Sequence, residues 1–307
     1  MRTLALSDEI LMKVDKAARY IGGEVNSVMK DKNAVDIRFA MCFPDVYEIG
    51  MSNLGMMILY NMFNQREDVW CERLFSPWPD LDKVMREEKI PLFALESQEP
   101  IRDFDFLGIT IGYEMCYTNI LQVLDLSGIP LKSADRGEDF PIVIGGGACA
   151  YNPEPLAPFF DMFYIGEGET VYDALFDAYK ANKKAGGSRK DFLLAAAKIP
   201  GIYVPSLYEV TYKEDGTIAS FAPTADGVPE KVQKQLIIDM EKEYRAVEAP
   251  VVPHIKATQD RVTLEIQRGC IRGCRFCQAG MIYRPTRERD VGDFEGIGAY
   301  HAEKYRT

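Results

Sequence analysis

The stretch GCIRGCRFCQAG, residues 269–280, carries Cys270, Cys274 and Cys277, separated by three residues and then by two. Thiolates bind soft metals, and three on one short loop can grip one face of a metal centre. Structural zinc takes four ligands, commonly in two pairs, and a simple ferredoxin cluster also takes four cysteines. Here no fourth cysteine lies near. His254 comes before the preceding strand and His301 lies well downstream. Three thiolates and one open position suit a 4Fe–4S cluster whose fourth iron binds an exogenous ligand. A zinc site completed through the fold and three unliganded thiols are the competing readings.

Several elements must position this loop. From about Asp36 to Tyr179 short apolar runs alternate with helical patterns. The expected strands are 36–43, 69–75, 91–97, 104–114, 141–147 and 162–169. Helices are expected near Leu54–Asn64, Leu81–Glu88 and Asn119–Ser127, with another running to about Lys180. The run FDFLGITIGYE is apolar almost throughout, as a strand buried on both faces is. The alternation predicts an α/β fold, a Rossmann-like parallel sheet with helices on both faces, over residues 1–200. Ligands of such sheets bind outside the carboxyl ends of the strands. Residues 202–223 alternate around Asp215-Gly216, a hairpin signal, and prolines punctuate the rest, so 201–258 reads as a small β connector and linker. A strand over 261–267 then enters the cysteine loop, opening a last region at 259–307.

The chain has 307 residues, 47% hydrophobic and 27% charged, with a formal net charge of −11. That balance gives no global attraction to nucleic acid, although it does not exclude one, and none to an anionic membrane. No apolar run is long enough to span a bilayer. The first 24 residues read as an amphipathic helix and not as a signal peptide, which points to the cytoplasm. The charge is uneven: Arg268, Arg272, Arg275, Arg284, Arg287 and Arg289 surround the cysteines. Either an anionic substrate or cofactor faces them, or Glu288 and Asp290 supply the counter-charge. The other four cysteines, Cys42, Cys71, Cys116 and Cys149, sit among apolar neighbours and read as packing residues.

Two front stretches end at strand tips, where ligands approach backbone. FPDVYEIGMSNLG (43–55) offers Asp45, Tyr47, Gly50, Ser52 and Asn53, although Ser52 or Asn53 serves equally well as a helix N-cap. VIGGGACAYNPEPLAPFFDMFYIGEGE (143–169) offers Gly145, Gly146, Gly147 and Glu167, with Glu169. These glutamates could orient a ligand or cap the next helix.

The CxxxCxxC triplet, with Phe276 before its last cysteine, resembles the signature of the radical S-adenosylmethionine (SAM) superfamily. The resemblance implies a cluster on Cys270, Cys274 and Cys277, with SAM chelated by the free iron near Phe276. One electron, from a reductant such as flavodoxin or ferredoxin, then cleaves SAM to a 5′-deoxyadenosyl radical. Residues 259–307 would be the first βα unit of a (β/α) barrel. The front domain resembles a cobalamin-binding Rossmann-like domain, and AARYIGGE (17–24), LFALES and residues 104–131 extend the likeness over nearly the whole chain, to an uncharacterised bacterial family. On this likeness Gly145–Gly147 pack on the cofactor's nucleotide tail. Cobalt-ligating domains carry Asp-x-His-x-x-Gly, whereas here Tyr47 takes the histidine's place between Asp45 and Gly50, and residues 1–200 hold no histidine. Histidine-ligated cobalt is thereby excluded, and cobalamin held without a protein imidazole stays open. The implied chemistry is methyl transfer to an unactivated carbon. The alternatives are non-methylating rearrangement, cyclisation or sulfur insertion, and a non-catalytic iron–sulfur or cobalamin sensor. Because a barrel needs roughly 200 residues, this segment alone is expected not to turn over substrate.

Overall fold

The computed structural model describes residues 4–243, 247, 249–261, 263–290 and 292. The helix expected over 293–307 lies outside them. Strands are β1 (Ile37–Phe43), β2 (Val69–Phe75), β3 (Phe106–Thr110), β4 (Ile142–Gly146), β5 (Met162–Tyr164), β6 (Ile202–Tyr203), β7 (Tyr208–Tyr212), β8 (Ile218–Pro223), β9 (Gln267–Arg268) and β10 (Arg287–Glu288). Helices are α1 (Asp8–Leu11), α2 (Tyr47–Gly50), α3 (Leu54–Gln65), α4 (Pro79–Glu88), α5 (Tyr117–Leu126), α6 (Tyr172–Lys184), α7 (Arg189–Ala196) and α8 (Ala279–Ile282).

Six strands form one sheet in the order β2-β1-β3-β4-β5-β6. The first five in this order run parallel and β6 closes the edge antiparallel to β5. All seven residues of β1 are buried, because both faces are covered. Alternate residues point to opposite faces. Phe39 and Met41 share a core with Phe63 of α3, Phe176 of α6 and Phe192 of α7. Ala40 and Cys42 face Leu81 and Met85 of α4 and Ile120 and Leu124 of α5. The connection leaves β1 to one side for β2 and resumes on the other at β3. The switch point of this sheet is therefore the β1/β3 crevice.

β2 carries Glu72 and Arg73, both fully buried in an apolar strand. A buried charge survives only with partners. Arg73 pairs with Glu24 at 2.7 Å and Glu96 at 2.6 Å. The Tyr47 and Tyr60 hydroxyls donate to the same two carboxylates.

Three local expectations change. The N-terminal helix shortens to α1, followed by a single 3₁₀ turn over Ala17–Arg19. Residues 91–97 form no strand; Phe93 makes one bridge, to Pro100. Among the described residues, the strand expected over 261–267 pairs only at its end, as β9 with β10. The hairpin over 202–223 does form, as β7 and β8, and β6 before it joins the main sheet. The described residues of 224–258 lie along the front domain. Gln235 bridges Gly166 and Val252 bridges Val25, while the Thr258 N–H donates to the Glu48 carbonyl at 3.0 Å.

Candidate functional site

A cavity of about 520 Å³ opens at the carboxyl ends of β1, β3, β4 and β5. Its floor includes Gly108 and Thr110 from β3 and Gly146 from β4, and its sides the start of α3 and the turn Gly166–Glu169 after β5. The opposite wall comes from Glu265, Gln267, Arg268, Gly269 and Tyr283, which flank the cysteines. Gly112 and Gly146 leave the space open: a Cβ at either would meet nothing within 4 Å. Gly147, at φ +101, turns the chain off the sheet, and a Cβ there would strike the Ile111 carbonyl at 2.9 Å.

The cysteine loop is closed at its base by the β9–β10 pair, so residues 269–286 form a hairpin-like excursion. Both stems are ion-paired to the front domain. Glu167 takes Arg287 in a bidentate pair, both contacts at 2.7 Å, and also accepts from Arg268 at 3.2 Å and from the Ile237 N–H at 3.0 Å. Arg268 further pairs with Glu169 at 2.5 Å and Glu265 at 2.8 Å. Lys234 donates to the carbonyls of Ile282 and Arg284 at the far side of the loop. Burial pushes the Glu167 carboxyl up, but the Arg287 and Ile237 hydrogen bonds and the two guanidinium charges outweigh it and hold the group below its ordinary range. The counter-charge for these two arginines thus comes mainly from the front domain, and not from Glu288 or Asp290. Arg272, Arg275 and Arg284 stay exposed.

The expected site residues divide accordingly. Asn53, Gly146, Gly147 and Glu167 line the cavity. Asn53 also caps α3, accepting from the Met56 N–H at 2.9 Å. Tyr47 does not reach the cavity: it is buried, donates to Glu24 at 2.9 Å, and burial raises its phenol well above the ordinary value. Gly50 packs on the Phe75 ring and Gly145 on Ile111 and Phe163, both inside the core. Ser52 accepts from the Gln259 N–H at 2.9 Å, tying down the linker. Asp45 lies at the tip of β1 and accepts from the Tyr113 hydroxyl, which pushes that phenol up to about 12. Phe276 is 93% exposed.

Cys274 is exposed, and Cys270 and Cys277 are half-buried. As a donor set, three soft thiols on one loop suit a metal cluster. Among the described residues, no three His, Cys, Asp or Glu side chains are gathered as a metal site. The four other cysteines are buried, and desolvation raises their thiols, which keeps them protonated packing groups. Sequence reasoning missed Arg268 and Arg287 as anchors and left Glu169 undecided. The signal was available in the two strand-end glutamates of GEGE and the two arginines bracketing the cysteines. Their pairing, though, spans 99 and 120 residues.

Residues 55–205 match a family described as radical SAM proteins, N-terminal. The match ends ahead of the cysteine triplet and covers β2 to β6 and the two glutamates, but not β1 or the thiols. An uncharacterised protein of Methanocaldococcus jannaschii is 26% identical over 255 residues, 83% of this chain and 44% of that one. A solved radical SAM methyltransferase, TsrM from Kitasatospora setae, bound to tryptophan and a SAM analogue, aligns over 87% of this chain and 46% of its own, at 14% identity and a TM-score of 0.42. The chain spans less than half the length of each of these two proteins. Among the described residues no helix is long and apolar enough to cross a membrane.

Proposed function

We propose that this chain is the cofactor-bearing part of a radical SAM enzyme. In this reading Cys270, Cys274 and Cys277 hold a 4Fe–4S cluster, and the strand-end cavity seats the nucleotide tail of a cobalamin. When bound, these groups supply reductive cleavage of SAM and a transferable methyl group. The observation that carries the reading is the shared cavity: one wall is the carboxyl edge of the sheet, and the other is the stem of the cysteine loop, with Gly269 adjoining Cys270. A ligand in the cavity is therefore held against the stem of the cysteine loop. The residues of the chain bind and orient. Gly112 and Gly146 admit a flat group against the strand tips, and the main chain of 166–169 borders it. Tyr47 is committed to Glu24 and the described cavity lining contains no histidine, so any cobalt present takes no imidazole from this lining.

The test is titration of hydroxocobalamin into the full chain, beside Gly146→Leu, which projects a side chain into the cavity. Binding with a base-off absorption spectrum, weakened in the variant, supports the reading. No binding to the parent chain at tens of micromolar would remove cobalamin and methyl transfer, leaving non-methylating radical chemistry or a sensor role.

A further inference from the structure

The geometry points to Glu167 as the positioning residue of the cysteine loop, a role that rests on the loop being the cluster-binding element. The loop leaves the fold after Arg268 and returns at Arg287, and Glu167 is bonded to both. A single carboxylate from the turn after β5 thus fixes the separation of the two stems and their height above the sheet. The surrounding contacts make it selective. The Glu167 carboxylate is buried and bidentate to Arg287, whose Nη1 also donates to the Ile237 carbonyl at 2.6 Å. Ile237 in turn gives its N–H to Glu167. The contact closes a ring of three segments: the turn after β5, the strap at 235–237 and the far stem of the loop. Glu169 repeats the contact on the near stem alone, through Arg268.

These contacts belong to the chain without any bound group, and they can be tested without one. Between the stems the loop has few other anchors. Ile271, Arg272, Cys274, Arg275 and Phe276 are exposed, and Lys234 holds only the α8 end. Removing the Glu167 charge therefore releases the loop locally and leaves the sheet intact.

The experiment is alkylation of the full chain with iodoacetamide, each cysteine followed by mass spectrometry, for the parent, Glu167→Gln, Glu167→Asp and Glu169→Gln. In the parent, the half-buried Cys270 and Cys277 react slowly relative to a denatured control. Glu167→Gln is expected to speed Cys270 and Cys277 by about tenfold, equivalent to ~1.4 kcal/mol of lost loop closure, while Cys42, Cys71, Cys116 and Cys149 stay protected. Glu167→Asp, which keeps the charge, recovers part of the protection, and Glu169→Gln gives a smaller effect at Cys270. Anaerobic reconstitution of the same proteins should show iron per chain falling in the same order. Unchanged alkylation of the loop thiols in Glu167→Gln would overturn the assignment. So would a rise shared by all seven cysteines, which would mean that Glu167 supports the fold as a whole. Loop release together with no iron in the parent chain would leave the positioning role standing and remove the cluster.

Discussion

Two glycines on neighbouring strands, Gly108 and Gly146, should respond in opposite ways to the same added methyl group. A Cβ on Gly108 would lie 2.3 Å from the Phe39 ring. That ring cannot move aside, because Phe63 holds it edge-on at 5.0 Å, Phe106 stacks on it at 5.7 Å and Phe176 closes it at 5.9 Å. Overpacking a core costs about 1–3 kcal/mol, and a ring locked on three sides places Gly108→Ala in the upper part, ~2–3 kcal/mol. At about 2–4 °C per kcal/mol for a chain of this size, Tm falls by about 4–12 °C. Gly146→Ala meets nothing within 4 Å. Removing glycine's freedom in the unfolded chain makes it neutral or stabilising by about 0.4–1 kcal/mol. Differential scanning calorimetry on the two variants reads the contrast directly. Equal losses at both positions would refute the argument, since they would mean that these strands demand glycine for their backbone and not for the space beside it.

Arg73→Met leaves Glu24 and Glu96 buried without their cation and should cost about 3–5 kcal/mol in urea unfolding, more than any exposed arginine substitution. Burial raises the Glu24 carboxyl, but the charge and hydrogen bond of Arg73, with the Tyr47 hydroxyl, bring it below its ordinary 4.5. Its stabilisation is therefore complete above about pH 4.5 and is lost as pH falls through the lower folded value. The urea midpoint should drop in that acid window, and drop less steeply in Glu24→Gln. Replacing Cys270, Cys274 and Cys277 together by alanine should abolish iron uptake on anaerobic reconstitution. Replacing Cys42, Cys116 and Cys149 should leave iron per chain unchanged, while lowering Tm through lost packing.

The sheet was legible because its strands are apolar on both faces and separated by glycines and amphipathic helices. PIVIGGG and VWCERLF became β4 and β2 almost residue for residue. PLFALES misled because it is just as apolar, yet its Glu96 is drawn to Arg73 and its backbone turns to meet Pro100. RVTLEIQ misled for another reason: its alternation is that of a strand, but among its described residues the backbone pairing is confined to Ile266 and Gln267 at its end. The cysteine triplet is visible without the fold, because it lies in spacing, and its role as a cluster site belongs to the proposed function. The cavity could be read only in part. Strand-end glycines announce a place where something approaches closely, but Gly145 and Gly50 serve the core while Gly146 serves the cavity, and φ, neighbours and register decide between them. Tyr47 shows the limit most clearly. Its position in the motif suggested a ligand contact, and a partner 23 residues upstream claimed its hydroxyl.

The stretch that matches a family, 55–205, and the stretch that packs together are not the same object. β1 is the middle rail of the sheet, bonded to β2 on one side and β3 on the other, and it ends at residue 43. Glu24, which neutralises Arg73, lies earlier still, and Gln235, which backs the turn carrying Glu167, lies later. A polypeptide cut to the matched stretch would keep two strands that have no reason to touch each other. Homology marks what evolution has carried as a unit. The unit that packs together is larger, and takes in Leu6, Val14 and Glu24 ahead of the match and Gln235 after it.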